Sequence, residues 1–347
     1  MVQSIDEQLD TITQDVADTY TALGAKGATL PAKKGTSNLK ATVDSLPKGG
    51  FPNKLYDVDA SGNTYKPSGT FSEGDFDDIV TMSSIATFEN AYSRSSLSGN
   101  CKFKNLSSTY GNAFANAFSN STPGSTGKCN IEFTALTTLR NNKNFYHAFD
   151  QCTAFNTISF PKLKNIGNED FTYAFNNCNV SNVLFPELKS IGYVTGDSKP
   201  CEYMFYGCTG LKEIFFPKLT DFSGEAPCEF MFYSSSLEYV HFDALTTINN
   251  NGPLKSAFWE SKHLKEVFFP VLEIVYTTAY AFYNSSLQKI SFPALKGVTK
   301  SAFSNAFSGC KDLKEIHFPA RMKSTIESIT DYASKWGATN ATIYFDL

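Results

Sequence analysis

The chain has 347 residues, more than one small hydrophobic core usually serves, which predicts several domains or a repeat array. Lys and Arg number 30 against 34 Asp and Glu, a formal charge of -4, so the chain carries no electrostatic footprint for nucleic acid or an anionic membrane surface. Only 18% of residues are charged, while Phe (31) and Tyr (17) are abundant, so the architecture needs aromatic rings at recurring positions.

The first residues, Met1 to Glu7, offer neither a basic nor an apolar leader region, and no stretch reaches the roughly 18 apolar residues of a membrane span. This predicts a chain without an export signal or membrane insertion. Val2, Ile5, Leu9, Ile12, Val16, Thr19 and Leu23 follow steps of three and four and lay one apolar seam along a helix. β-Branched residues at both kinds of seam position favour a homotrimer or higher oligomer over a dimer, with Ile5, Leu9, Ile12 and Val16 as its contacts. The alternative is a helix packed on its own domain. A loop over 24–35, a second helix from Ser37 to Leu46 and the turn Pro47 to Pro52 complete this segment. The expected domains are a helical attachment or oligomerisation segment over 1–47 and a linker and cap over 48–78. A solenoid over 79–320 and a closing helix and strand over 321–347 follow.

The solenoid announces itself by repetition. One phrase is Ile-x-Phe-Pro-x-Leu, as in Ile158-Ser159-Phe160-Pro161, Ile214-Phe215-Phe216-Pro217 and Ile316-His317-Phe318-Pro319. Weaker copies end at Phe103, Phe133 and Phe345. A second phrase, Ala/Met-Phe, precedes most copies at a nearly constant distance: Ala148-Phe149, Met204-Phe205, Ala257-Phe258 and Ala306-Phe307 are examples. Ile and Phe alternate with an outward residue, the pattern of a short half-buried strand. Pro lacks an N–H and ends the pairing, and the following Leu re-enters the core. Ala/Met-Phe reads as a helical turn packed over the sheet, and the Gly-, Asn- and Ser-rich stretch before it as a tolerant loop. No coil can bury its own apolar face, so neighbours must stack. Ten strands would form a parallel ladder roughly 45 Å long.

Cys152, Cys178, Cys208 and Cys310 share a slot three residues after the ring with Ser235, Ser261 and Ser285, which marks a small buried rung rather than half of a bridge. Cys201 and Cys228 also match in position. Reduced thiols are expected.

Leu211-Lys212-Glu213-Ile214-Phe215-Phe216-Pro217 and Ala306-Phe307-Ser308-Gly309-Cys310 resemble the BspA-like class of leucine-rich repeats. The resemblance runs over about residues 79 to 320 and implies an α/β repeat solenoid with a parallel strand ladder, as in bacterial surface adhesins. The chain departs from that class where Pro-x-Leu replaces Pro-x-Ser/Thr-Val. The N-terminal layout, a helix, Gly27-Ala28-Thr29-Leu30-Pro31 and a small amphipathic helix, resembles phage and prophage tail-associated proteins. That implies a virion component made in the host cytoplasm, which meets other tail proteins and recognises a bacterial host-surface protein or glycan. The alternatives are an adhesin on the bacterial cell surface and a structural virion protein.

His147, His241, His263 and His317 lie in different coils, and no P-loop, Gly-x-Ser-x-Gly or Cys-x-x-Cys occurs, so a non-catalytic protein without metal or cofactor is expected. The informative positions are the outward strand slots. Leu184, Phe215, His241 and Phe268, with Tyr239 beside them, would form an exposed aromatic strip for a partner. The competing reading is that residues 51–78 or a sister subunit cover it.

Overall fold

In a computed structural model that describes residues 70, 71, 76, 77, 79, 88–192 and 199–347, the chain winds into a parallel-strand β-solenoid of about nine turns. The Ile-x-Phe strands stack in a four-stranded sheet followed by a six-stranded one. Pairing is in register: Ile131 lies on Ile158, Ile158 on Val183, and Val240 on Val267. Like residues therefore meet like residues along the solenoid. Phe71 and Phe76 already belong to this core; Phe76 stacks on Phe103 at 4.5 Å.

The supposed tolerant loop after each Leu holds a second short strand. Asn165–Ile166, Ser190–Gly192 and Asp221–Ser223 form one parallel ladder; Thr247–Ile248, Ile274–Val275 and Gly297–Val298 form another.

The Ala/Met-Phe phrase is not a helical turn, and this corrects the α/β expectation to a β-solenoid with few helices. It is a string of linked turns in which alternate N–H groups point differently. Phe88, Asn90 and Tyr92 donate to Ala113, Ala115 and Ala117 of the next coil. Ala91 and Ser93 instead donate three residues back, to Phe88 and Asn90. Every fourth residue is left-handed: Asn112, Asn116 and Asn120 have φ of 56°, 54° and 55°. A helix would keep its N–H groups internal and exclude such residues. The turn string commits half of them to the neighbouring coil.

Three columns of rings fill the core. Phe133, Phe160 and Phe185 stack at 4.9 and 5.1 Å. Beside them Phe145 and Phe171 stack at 4.9 Å, edge-on to the first column at 80° to 87°. The rings of the Ala/Met-Phe phrase form the third, including Phe118, whose longer spacing hides it in the sequence. Offset stacking within columns and edge-to-face contact between them satisfy the ring quadrupoles throughout.

A seam interrupts this order. The slot beyond Phe171 holds Cys201 and then Cys228, which removes the edge-on ring. At the same step Phe185 and Phe216 are 6.4 Å apart, and strand Asn182–Leu184 falls in a different sheet from Glu213–Phe215.

All eight cysteines are buried and free. In the slot that four of them share with Ser, Cys310 and Ser261 each donate to the ring residue of the preceding coil, at the carbonyls of Phe282 (2.8 Å) and Phe232 (2.7 Å). At the C-terminus two short helices, Lys323–Glu327 and Tyr332–Trp336, replace the single expected one; Asp331 between them is left-handed. The last strand, Thr342–Phe345, joins the ladder parallel to Glu315–Phe318. Among the described residues no helix is long and apolar enough to cross a membrane. The expected N-terminal helices, with Ile5, Leu9, Ile12 and Val16, lie outside the described residues.

Candidate binding surface

The in-register ladder brings the outward strand residues together. Phe215 pairs with His241 and His241 with Phe268, and their rings stack at 4.3 and 4.2 Å. Tyr239 occupies the neighbouring column, between Glu213 and Glu266, and its ring lies 6.3 Å from Phe268. His241 is held by Glu213 at 2.9 Å from its Nε2.

Leu184 faces Phe215 across the seam. They are 44% and 46% exposed, and between them runs a groove of about 530 Å³ that includes Pro186, Pro217, Lys212 and Glu213. Beyond the seam His241 and Phe268 are half-buried, whereas Leu184 and Phe215, which border it, are exposed. Ion pairs Lys102–Glu132 (3.4 Å) and Lys289–Glu315 (3.9 Å) lie toward the two ends of the strip. Burial lifts the Glu266 carboxyl above its ordinary range, against the pull of Lys289. All five expected residues thus share one face. Among the described residues no cluster of three or more His, Cys, Asp or Glu is arranged to hold a metal.

Sequence reasoning missed a second aromatic surface, on the turn strings. Tyr173, Tyr203 and Phe230 stack at 4.9 and 5.0 Å, and Tyr206 lies 5.2 Å from Tyr233. With Trp259 these rings line another groove of about 530 Å³. The signal was legible: aromatic residues flank the core phrase in Tyr203-Met204-Phe205-Tyr206 and Phe230-Met231-Phe232-Tyr233. The sequence analysis weighed only the strand slots, so these flanking positions went unread. Tyr173, Tyr203 and Phe230 hold left-handed backbone with φ of 54°, 52° and 55°, a conformation costly for bulky residues.

The model of the BspA-type leucine-rich repeat region, described as six copies, matches residues 67–195, 127–252, 171–306 and 228–335. No curated protein matches the chain. The comparisons lend no support to the expected phage-tail resemblance of the N-terminal segment. BspA-type repeats are consistent with a surface adhesin or binding protein. With the matches spanning most of its length and a ladder of stacked Ile-x-Phe strands beneath them, the chain belongs to the BspA-type leucine-rich-repeat family.

Proposed function

We propose that this protein is a non-catalytic binding protein of the surface-adhesin kind, which holds a protein partner on the strand face. The observation that carries this reading is the uncovered pair Leu184 and Phe215 beside the Phe215–His241–Phe268 stack. Rigid aromatic anchors next to a groove are the usual energetic centre of an interface. Replacing Phe215 and Phe268 by Ser is expected to weaken adhesion of the purified protein to bacterial cells by at least about tenfold. Circular dichroism should stay unchanged, because neither ring belongs to the core. Undiminished adhesion would move the partner site elsewhere.

A narrower version makes the protein a phage tail or fibre component that recognises a bacterial host and trimerises through residues 1–47. Its support is the heptad of Ile5, Leu9, Ile12 and Val16. The full chain is then expected to have three times the monomer mass by light scattering, and a chain lacking residues 1–47 the mass of one. Two monomeric species would remove that version and leave the strand-face reading intact.

A further inference from the structure

The groove on the turn strings calls for a ligand of its own. Its lining residues are Tyr173, Tyr203, Tyr206, Phe230, Tyr233 and Trp259. None is charged, and every one but Phe230 carries a hydrogen-bond donor on an apolar ring. Nearby charges are spent on one another: Lys199 with Glu202 (3.3 Å) and Glu229, Lys255 with Glu229 (2.9 Å), and Lys262 with Glu260 (2.7 Å). A charged ligand would lose its hydration here without meeting a free counter-charge. A purely apolar ligand would bury the phenol and indole donors unpaired. A ligand that alternates apolar C–H faces with hydroxyl groups satisfies both demands.

The geometry narrows the choice. The column rings advance by 4.9 to 5.2 Å per coil, close to the length of one sugar ring in an extended chain. A polyproline helix, the other ligand suited to aromatic grooves, repeats about every 9 Å and would use only alternate coils. Stacking occupies the ring faces of Tyr203 on both sides, but Trp259 departs from the pattern. Its half-buried indole packs on Tyr283 at 4.3 Å with a 38° tilt, but stands 6.0 Å from Phe230 and 6.1 Å from Tyr280, tilted by 57° and 30°, so it is stacked on one side only.

We propose that this groove is a binding site for a neutral glycan, with one sugar packed on Trp259 and its neighbours hydrogen-bonded by Tyr203, Tyr206 and Tyr233. The site lies on the turn strings rather than on the strand face, and does not depend on the protein partner proposed there.

The chain has a built-in reporter. Of its two tryptophans, Trp336 is fully buried, so changes in accessible indole emission belong to Trp259. The full chain is titrated with cello-, chito- and malto-oligosaccharides, followed by tryptophan fluorescence and calorimetry. At least one series is expected to give a saturable signal and protect the indole from acrylamide quenching. Trp259→Ala and, separately, Tyr206→Ala plus Tyr233→Ala should weaken calorimetric binding about tenfold or more. Phe215→Ser plus Phe268→Ser should leave it unchanged, which separates this site from the strand face. Four results would overturn the proposal, the first three from the binding measurements. They are no binding by any of the three series, binding that survives both groove variants while they remain folded, and tighter binding of a proline-rich peptide than of any sugar. A fall in the mass of the full chain on Trp259→Ala would also overturn it, by making a second copy the occupant.

Discussion

Phe160→Ala is expected to destabilise the protein by about 4–5 kcal/mol, the upper part of the range for a buried aromatic ring. Phe160 is fully buried and touches four rings: Phe133 and Phe185 stacked at 4.9 and 5.1 Å, Phe145 and Phe171 edge-on at 5.1 and 5.3 Å. Both columns run straight through the site, so neighbours cannot close the cavity without breaking register with the coils on either side. The denaturant midpoint measures the effect, with Phe160→Leu as a smaller-cavity control that should lose about half as much. Phe215→Ala, at an exposed ring, should cost less than about 1 kcal/mol. A solenoid is a chain of nearest-neighbour interfaces, and this one is weakened at the seam between Phe185 and Phe216. The loss in Phe160→Ala should therefore appear in one of two unfolding steps, with the later coils melting as before. A single transition in which Phe160→Ala and wild type share one midpoint would refute this account of the core.

Stability should also fall as the pH rises from about 4 to about 7, because of Asp170. Its carboxyl accepts from the Asn144 side chain at 2.8 Å and from the Gly167 N–H at 3.1 Å. Burial outweighs these bonds and pushes its pKa from 3.8 up to about 7. The unfolded chain gives up this proton near pH 4, while the folded chain keeps it until about pH 7. Between those values the folded state binds more protons, so stability declines with rising pH and levels off above the folded value. A shift of this size corresponds to something on the order of 4 kcal/mol. Glu260, hydrogen-bonded by Lys262, behaves oppositely. Its pKa is lowered, so its contribution is present above the unfolded value of 4.5 and is lost only as the pH falls below it. The two windows hardly overlap. Thermal melts of wild type and Asp170→Asn between pH 4 and pH 8 test the assignment: the variant should lose most of this decline and keep only the weaker one of the same sign from Glu266. Equal slopes in both proteins would place the titrating group elsewhere.

The strands, their direction and their inward faces were legible in the sequence. Alternation of Ile and Phe around one outward residue fixes which side is buried. A phrase that recurs with a stop at Pro forces each copy into the same place on successive coils. The strip from Leu184 to Phe268 followed from that alone, since in-register parallel strands put equal slots in contact. The Cys/Ser slot was also readable as a buried rung, although its partner, the carbonyl of the preceding coil, was not.

The linked turns were hidden because a small residue next to a ring fits a helix as well as a turn. What distinguishes them is where the N–H groups go, and half of these bond to a coil some thirty residues away. The outward aromatics at Tyr203, Tyr206 and Trp259, which flank that phrase, were not singled out. The seam was hidden too. It arises where rings give way to Cys201 and Cys228, and its effect is felt by Phe216, which is adjacent only in space. The sequence by itself determined what repeats and which way each strand faces, because those are local patterns of side chains. Only the tertiary structure decided how the coils bond to one another and where the stack opens, because hydrogen bonds and ring contacts between coils depend on two distant segments at once.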